Sequence, residues 1–221
     1  MPFTFFYIFW VLFCYKVGVL NMREFIVGHS LNLIKQNNPD YSDEKIEILE
    51  YGLTGLYIFV SKSIVIFSIA YFLGIFKELL IFMIIYNCLR LVSFGAHATS
   101  SVGCLVASTT SFLSATYLCK SIIIPQNIKV ILGIMGIVCV YLYSPADTEK
   151  RPIISPKRRM IYKTLSTLVA FFMIVFSLTL SNDFLANSCT AGLILQCFMI
   201  MPITYKLINQ RYDNYKYYTV E

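Results

Sequence analysis

Charge is scarce in this sequence: 14% of its 221 residues are Asp, Glu, Lys or Arg, whereas 57% are hydrophobic. An ordinary soluble domain carries about a quarter charged residues. With a mean hydropathy of +0.69, the composition excludes a water-soluble globular chain and makes lipid the solvent. Histidine is scarcer still. His29 and His97 are the only two and no H-E-x-x-H occurs, which leaves a zinc protease without its ligands. The seven cysteines, at 14, 88, 104, 119, 139, 189 and 197, contain no C-x-x-C pair and nearly all lie in apolar runs. Neither a disulfide framework nor a metal site is indicated, and most of them read as packing residues. There is no G-x-G-D motif, which argues against an intramembrane aspartyl protease, and no internal repeat or pair of broken helices in two halves, which disfavours a transporter. No metal or cofactor is expected. The net charge of +6 comes from short loops between apolar runs, where topology and anionic lipid account for it before nucleic acid does.

What is present is a series of long apolar runs. Phe3 to Leu20, interrupted by Lys16, could be a span, a signal-like segment or an artefact of start-site choice, because Met22 offers a second initiator. Residues 1–21 are therefore set apart as an apolar extension, and residues 22–221 are read as a single transmembrane domain. Met22 to Gln36 places Phe25, Ile26, Leu31, Leu33 and Ile34 among polar residues, as an interfacial helix does. Asn38-Pro39-Asp40 breaks it. Ser42 followed by Asp43 and Glu44 is a good N-cap for a new helix, apolar from Tyr51 to Phe76 with Lys62 near its middle. That lysine either faces the bundle or a watery cavity, or snorkels to the interface. Further runs follow at Leu79–Val92, Val102–Ile124, Ile128–Tyr143, Met160–Leu180 and Phe184–Ile208. At about 20 residues per crossing, the expected fold is an all-α polytopic transmembrane bundle of five to six membrane segments behind an N-terminal interfacial helix.

Between two of these runs lies Ser93-Phe94-Gly95-Ala96-His97-Ala98-Thr99-Ser100-Ser101-Val102-Gly103-Cys104, rich in small and polar residues. The pattern predicts a broken or re-entrant segment shielded by protein. Lys150, Arg151, Lys157, Arg158 and Arg159 crowd one loop, while Ser181-Asn182-Asp183 has no positive charge. The basic loop is thus expected to be cytoplasmic, and counting back two spans puts the Ser93–Cys104 segment on the same side.

His97 and Cys104 are a candidate nucleophile pair, because a neighbouring imidazole or cation favours the thiolate. On one straight helix, seven residues would separate them by about 10.5 Å along the axis, far beyond the ~3–4 Å that proton transfer needs. The helix must break between them, and Gly95, Ser100, Ser101 and Gly103 are residues that permit a break. By composition alone, the two also fit as a packed cysteine and an interfacial histidine.

The pattern Arg90-x4-Gly95-x-His97-Ala98-x5-Cys104 is followed by Pro145-Ala146-Asp147-Thr148 before a basic joint holding Pro152. Together with Glu47-x2-Glu50-Tyr51-Gly52-Leu53, it resembles the accessory gene regulator protein B (AgrB) family over about 200 residues. The sequence departs from the family at Phe94, where glycine is often found, and in the extension before residue 22. The resemblance implies a membrane cysteine endopeptidase for a quorum-sensing propeptide, with His97 as general base and Cys104 as nucleophile; Arg90 and Gly95 also match family positions. It further implies an acyl-thioester on Cys104, resolved by a side chain of the precursor into a cyclic thiolactone or lactone, and a homodimer. Arg90 could steady negative charge or snorkel to headgroups. Lys62, Lys150, Arg151, Lys157, Arg158 and Arg159 are possible contacts for an acidic precursor tail, although topology alone explains the loop cations. Asp147 could pair with those cations, orient the site or cap its loop. A peptide transporter and a non-enzymatic membrane scaffold are the alternatives, and the scaffold would tolerate Cys104→Ala.

Overall fold

A computed structural model of the protein describes residues 24–96, 101–149 and 151–218. Residues 1–21, His97 and Lys150 lie outside the described residues. The described chain is helical, with only isolated β-bridges besides. Its elements are α1 (24–37), α2 (Asp43–Phe72), α3 (Phe76–Ser93), α4 (Ser101–Ser121), α5 (Gln126–Tyr143), α6 (Pro156–Thr179), α7 (Asp183–Ile200), α8 (Pro202–Leu207) and a final 3₁₀ turn (Asn214–Tyr217). Among the described residues, four helices are long and apolar enough to cross a membrane: α2, α5, α6 and α7.

The chain divides into two compact units, Met1–Phe72 with Ser100–Ala107, and Leu73–Thr99 with Ser108–Glu221. In the first, α1 ends where Asn37 and Asn38 turn their amides onto the carbonyls of Leu33 and Ile34. The expected cap of α2 is present: the Ser42 hydroxyl accepts from the Lys45 N–H, with Asp43 and Glu44 in the first turn. Val27 and Leu31, four residues apart on α1, are buried against Ile46, Leu49, Leu53 and Tyr57 on one face of α2. This i, i+4 stripe leaves Phe25, Ile26 and Leu33 exposed. Lys62 is half-buried on α2.

The run expected to continue to Phe76 is divided. Gly74 adopts φ +66°, a left-handed conformation that ends a helix, so α2 stops at Phe72 and α3 begins at Phe76. The last run is likewise cut at Met201-Pro202, because proline offers no N–H to continue the ladder of α7. In the second unit α7 is the central element and packs against α3, α5 and α6. Its close approach to α5 needs a small residue: a Cβ on Gly136 would lie 2.6 Å from the Leu193 side chain. Short polar pairs then tie helix to helix, as is usual where burial in lipid supplies little driving force. Ser177 and Thr190 hydroxyls are 2.6 Å apart, as are those of Ser144 and Ser166. Asn187 donates to the carbonyls of Cys119 and Ile122 at the end of α4.

Candidate functional site

The helix interruption expected before Cys104 is real: α3 ends at Ser93 and α4 begins at Ser101. Its described part, Phe94-Gly95-Ala96, is held from three directions. Arg90, in the last turn of α3, folds over its own helix end and donates to the carbonyls of Phe94 at 2.8 Å, Gly95 at 3.2 Å and Ala96 at 2.8 Å. A cation there also meets the negative end of the helix dipole. From the proline-aspartate loop, Ala146 accepts from the Gly95 N–H at 2.9 Å and donates to the Ser93 carbonyl at 3.0 Å. From the end of α7, Met199 accepts from the Ala96 N–H at 2.8 Å. The buried Gln196 amide donates to the Ser93 hydroxyl and to the Phe94 carbonyl, both at 2.6 Å.

Two backbone conformations make this turn. Gly95 has φ +125°, and a Cβ there would lie 2.3 Å from an Arg90 guanidinium nitrogen and 2.7 Å from the Met199 carbonyl oxygen. Phe94 has φ 57° and ψ −138°, a region that glycine enters readily and other residues only under strain. The strain is offset by its ring, which meets Tyr162 edge-on with centroids 4.9 Å apart. Phe94→Gly should therefore leave stability within about 1 kcal/mol of wild type, because relief of about 1–2 kcal/mol of strain balances the lost aromatic contact. Phe94→Ala, which loses the ring and keeps the strain, should cost more than Phe94→Gly. Thermal unfolding of the two variants in detergent–lipid micelles checks the order, and the reverse order would refute the strain.

The proline-aspartate loop is anchored in turn. Asp147 is buried, and its carboxylate accepts from the N–H groups of Asn214 and Tyr215, each at 3.0 Å, from Ile153 N–H at 3.3 Å and from Arg159 at 3.5 Å. Arg159 also lies 3.4 Å from the centre of the Tyr215 ring, a cation–π contact. The Tyr205 hydroxyl donates to the carbonyls of Ala146 and Asp147 at 3.1 and 2.9 Å, and burial pushes it above its ordinary ionisation range. Of the three readings of Asp147, this geometry displays two: pairing with a cation of the basic loop, Arg159, at 3.5 Å, and capping of backbone N–H groups, that of Ile153 in its own loop among them. Arg151, Lys157 and Arg158 are exposed.

Cys104 sits in the first turn of α4 and is half-buried. It belongs to the first unit, whereas Arg90, Gly95 and the proline-aspartate loop belong to the second. The structure thus links Arg90 and Gly95, through Ala146, to the loop that Asp147 and Arg159 anchor; His97 lies outside the described residues.

The family model described as Accessory gene regulator B matches residues 29–200, a stretch that holds the whole of this turn, the proline-aspartate loop and Cys104. The chain belongs to that family. Among curated relatives, a putative AgrB-like protein of Clostridium acetobutylicum is 29% identical over 180 residues, 80% of this chain and 86% of its own length. One from Listeria monocytogenes is 30% identical over 188 residues, 84% of this chain and 91% of its own. The accessory gene regulator protein B of Staphylococcus aureus is 29% identical over 174 residues, 77% of this chain and 89% of its own. No solved structure matches. Membership of the accessory gene regulator B family supports a role in quorum-sensing autoinducer processing.

Sequence reasoning singled out Arg90, Gly95 and Asp147 in this cluster but not Gln196, Tyr205 or Asn214. Gln196 carried a signal that could have found it. It is one of two side-chain amides, with Asn187, in the apolar run Phe184–Ile208, and a polar group at that depth needs a partner within the protein.

Proposed function

We propose that the protein is a multi-pass cell-membrane cysteine endopeptidase that removes the C-terminal tail of a short amphipathic propeptide. Cys104 is the nucleophile and His97 the general base. The thiolate attacks the carbonyl of the scissile bond, the tail departs as an amine that takes a proton from the imidazolium, and the remaining peptide is held as a thioester on Cys104. A cysteine thiol or serine hydroxyl of the same peptide then displaces Cys104, giving a cyclic thiolactone or lactone and returning the thiol. Holding the peptide in place makes ring closure intramolecular, and keeping water away prevents hydrolysis of the thioester.

The observation that carries this reading is the built interruption between α3 and α4. An ordinary helix connection has no need for a half-buried arginine, a buried glutamine and a glycine at φ +125° to hold three residues directly ahead of a histidine. One continuous helix would hold positions 97 and 104 about 10.5 Å apart along its axis, and the chain is not one continuous helix here, because α3 ends at Ser93 and α4 begins at Ser101. Cys104, four residues into α4, lies in a turn whose N–H groups lack intrahelical acceptors and favour negative charge nearby.

In this reading α3 and α4 supply the remaining one or two of five to six membrane segments, and α1 lies at the interface with Phe25, Ile26 and Leu33 toward lipid. The site faces the cytoplasm together with the basic loop. The exposed Arg151, Lys157 and Arg158, with Lys150, receive the acidic tail, Lys62 is a further candidate contact, and the working form is a homodimer. The test is cleavage of a candidate precursor by purified protein in lipid, with mass spectrometry following Cys104. Wild type should release the tail and carry a thioester adduct, and Cys104→Ala and Cys104→Ser should do neither at equal folded amount. Undiminished cleavage by Cys104→Ala would overturn the proposal in favour of a scaffold.

A further inference from the structure

Gln196 is fully buried in α7, 103 residues away in sequence from the hydroxyl it holds. Its orientation follows from its partners. The Phe94 carbonyl can only accept, and the Ser93 hydroxyl spends its proton on the Leu89 carbonyl at 2.7 Å, so both contacts call for the amide nitrogen. That leaves the side-chain oxygen of Gln196 buried without a partner among the described residues. A buried amide oxygen in that state costs about 1–3 kcal/mol, and a leucine or methionine would fill the same space at no such cost. The residue is therefore poorly explained by stability alone.

Its location suggests what it is for. Arg90, Gln196 and the Met199 carbonyl grip residues 93–96 from two helices, and the next residue in the chain is His97. The arginine grip is local, tying the turn to the helix that precedes it. The glutamine grip is the side-chain tie between the turn and α7, beside the backbone bond from Ala96 to Met199, and α7 is the most buried of the four helices long and apolar enough to cross a membrane.

We propose that Gln196 is a positioning residue of the cysteine-peptidase dyad. Its amide nitrogen fixes the Ser93–Phe94 turn, which immediately precedes Gly95, Ala96 and His97 in the chain, and so constrains the backbone from which the histidine follows. The inference rests on the peptidase reading above and adds a residue to it. A histidine displaced by about 1 Å can lose about two orders of magnitude in rate with substrate binding intact. Loss of Gln196 should therefore appear in kcat far more than in KM.

The experiment uses the full chain in lipid vesicles and compares wild type, His97→Ala, Gln196→Met and Ser93→Ala at equal folded amount. Two quantities are read: kcat and KM for precursor cleavage, and the pH dependence of alkylation of Cys104 by iodoacetamide, followed by mass spectrometry of the Cys104 peptide. In wild type the alkylation profile should differ from that of His97→Ala. Gln196→Met should lower kcat at least about tenfold with KM little changed, and shift the profile toward that of His97→Ala. Ser93→Ala, which removes one of the two acceptors, should fall between, and it decides the matter if Gln196→Met does not fold. Wild-type kcat and profile in these variants, with the dyad signature present in wild type, would overturn the role of Gln196 alone. Identical profiles for wild type and His97→Ala would overturn the dyad, and the role of Gln196 with it.

Discussion

Gly95→Ala is expected to abolish precursor processing and to lower stability by more than about 3 kcal/mol. Two costs combine. The first is backbone strain of about 1–3 kcal/mol, because φ +125° is closed to a residue with a Cβ. The second is steric, about 1–3 kcal/mol for a methyl forced into packed surroundings. The Cβ would meet the Met199 carbonyl oxygen at 2.7 Å and its carbon at 3.2 Å. The Arg90 side chain can move away, but the Met199 carbonyl is backbone at the end of α7 and is bonded to the Ala96 N–H. Relief must come from unmaking that bond, which releases the turn ahead of His97. The thermal unfolding midpoint and the cleavage rate should both drop, and a variant that kept both would show that the turn does not need glycine.

Asp147→Ala should cost about 3 kcal/mol, with its effect concentrated at the C-terminal segment. The carboxylate gathers two N–H groups of the 3₁₀ turn, one of the basic loop and the Arg159 guanidinium. Removing it strands several donors at once, one of them charged. Asp147→Asn keeps one oxygen and should cost roughly half as much. Because the tail is bound through residues 214 and 215, limited proteolysis should cut after Tyr212 or Arg211 faster in Asp147→Ala than in wild type. Equal cutting rates with an unchanged unfolding midpoint would mean that these bonds contribute little. Loss of this anchor also loosens Ala146, whose backbone pairs with Ser93 and Gly95, so cleavage activity should fall along with stability.

Much of this molecule is legible from local chemistry. The lipid setting follows from composition, the start of α2 from Ser42 and its acidic neighbours, and the interruption before Cys104 from a cluster of small and polar residues where a helix would hold His97 and Cys104 apart. The boundaries at Gly74 and Met201-Pro202 were hidden because both lie within apolar stretches, where hydropathy is insensitive to a single left-handed glycine or a missing N–H. Arg90 illustrates a different limit. Its residue type and place near a helix end fit either a charge stabiliser or a headgroup anchor, and only the folded chain shows its guanidinium on the carbonyls of residues 94–96.

The sequence by itself determined that the chain lives in lipid, that it is helical, where a nucleophile and a base could lie, and which family's motifs it carries. These properties depend on composition, helical spacing and motifs within a short window. The tertiary structure decided which groups hold those motifs in shape: Gln196 on Ser93 and Phe94, Ala146 against Gly95, Arg159 and the 3₁₀ turn on Asp147. Each joins residues at least 12 apart in the chain, most of them 50 or more. A hydrogen bond between such distant positions leaves no periodic trace in the sequence, because its partner is set by which helices pack together.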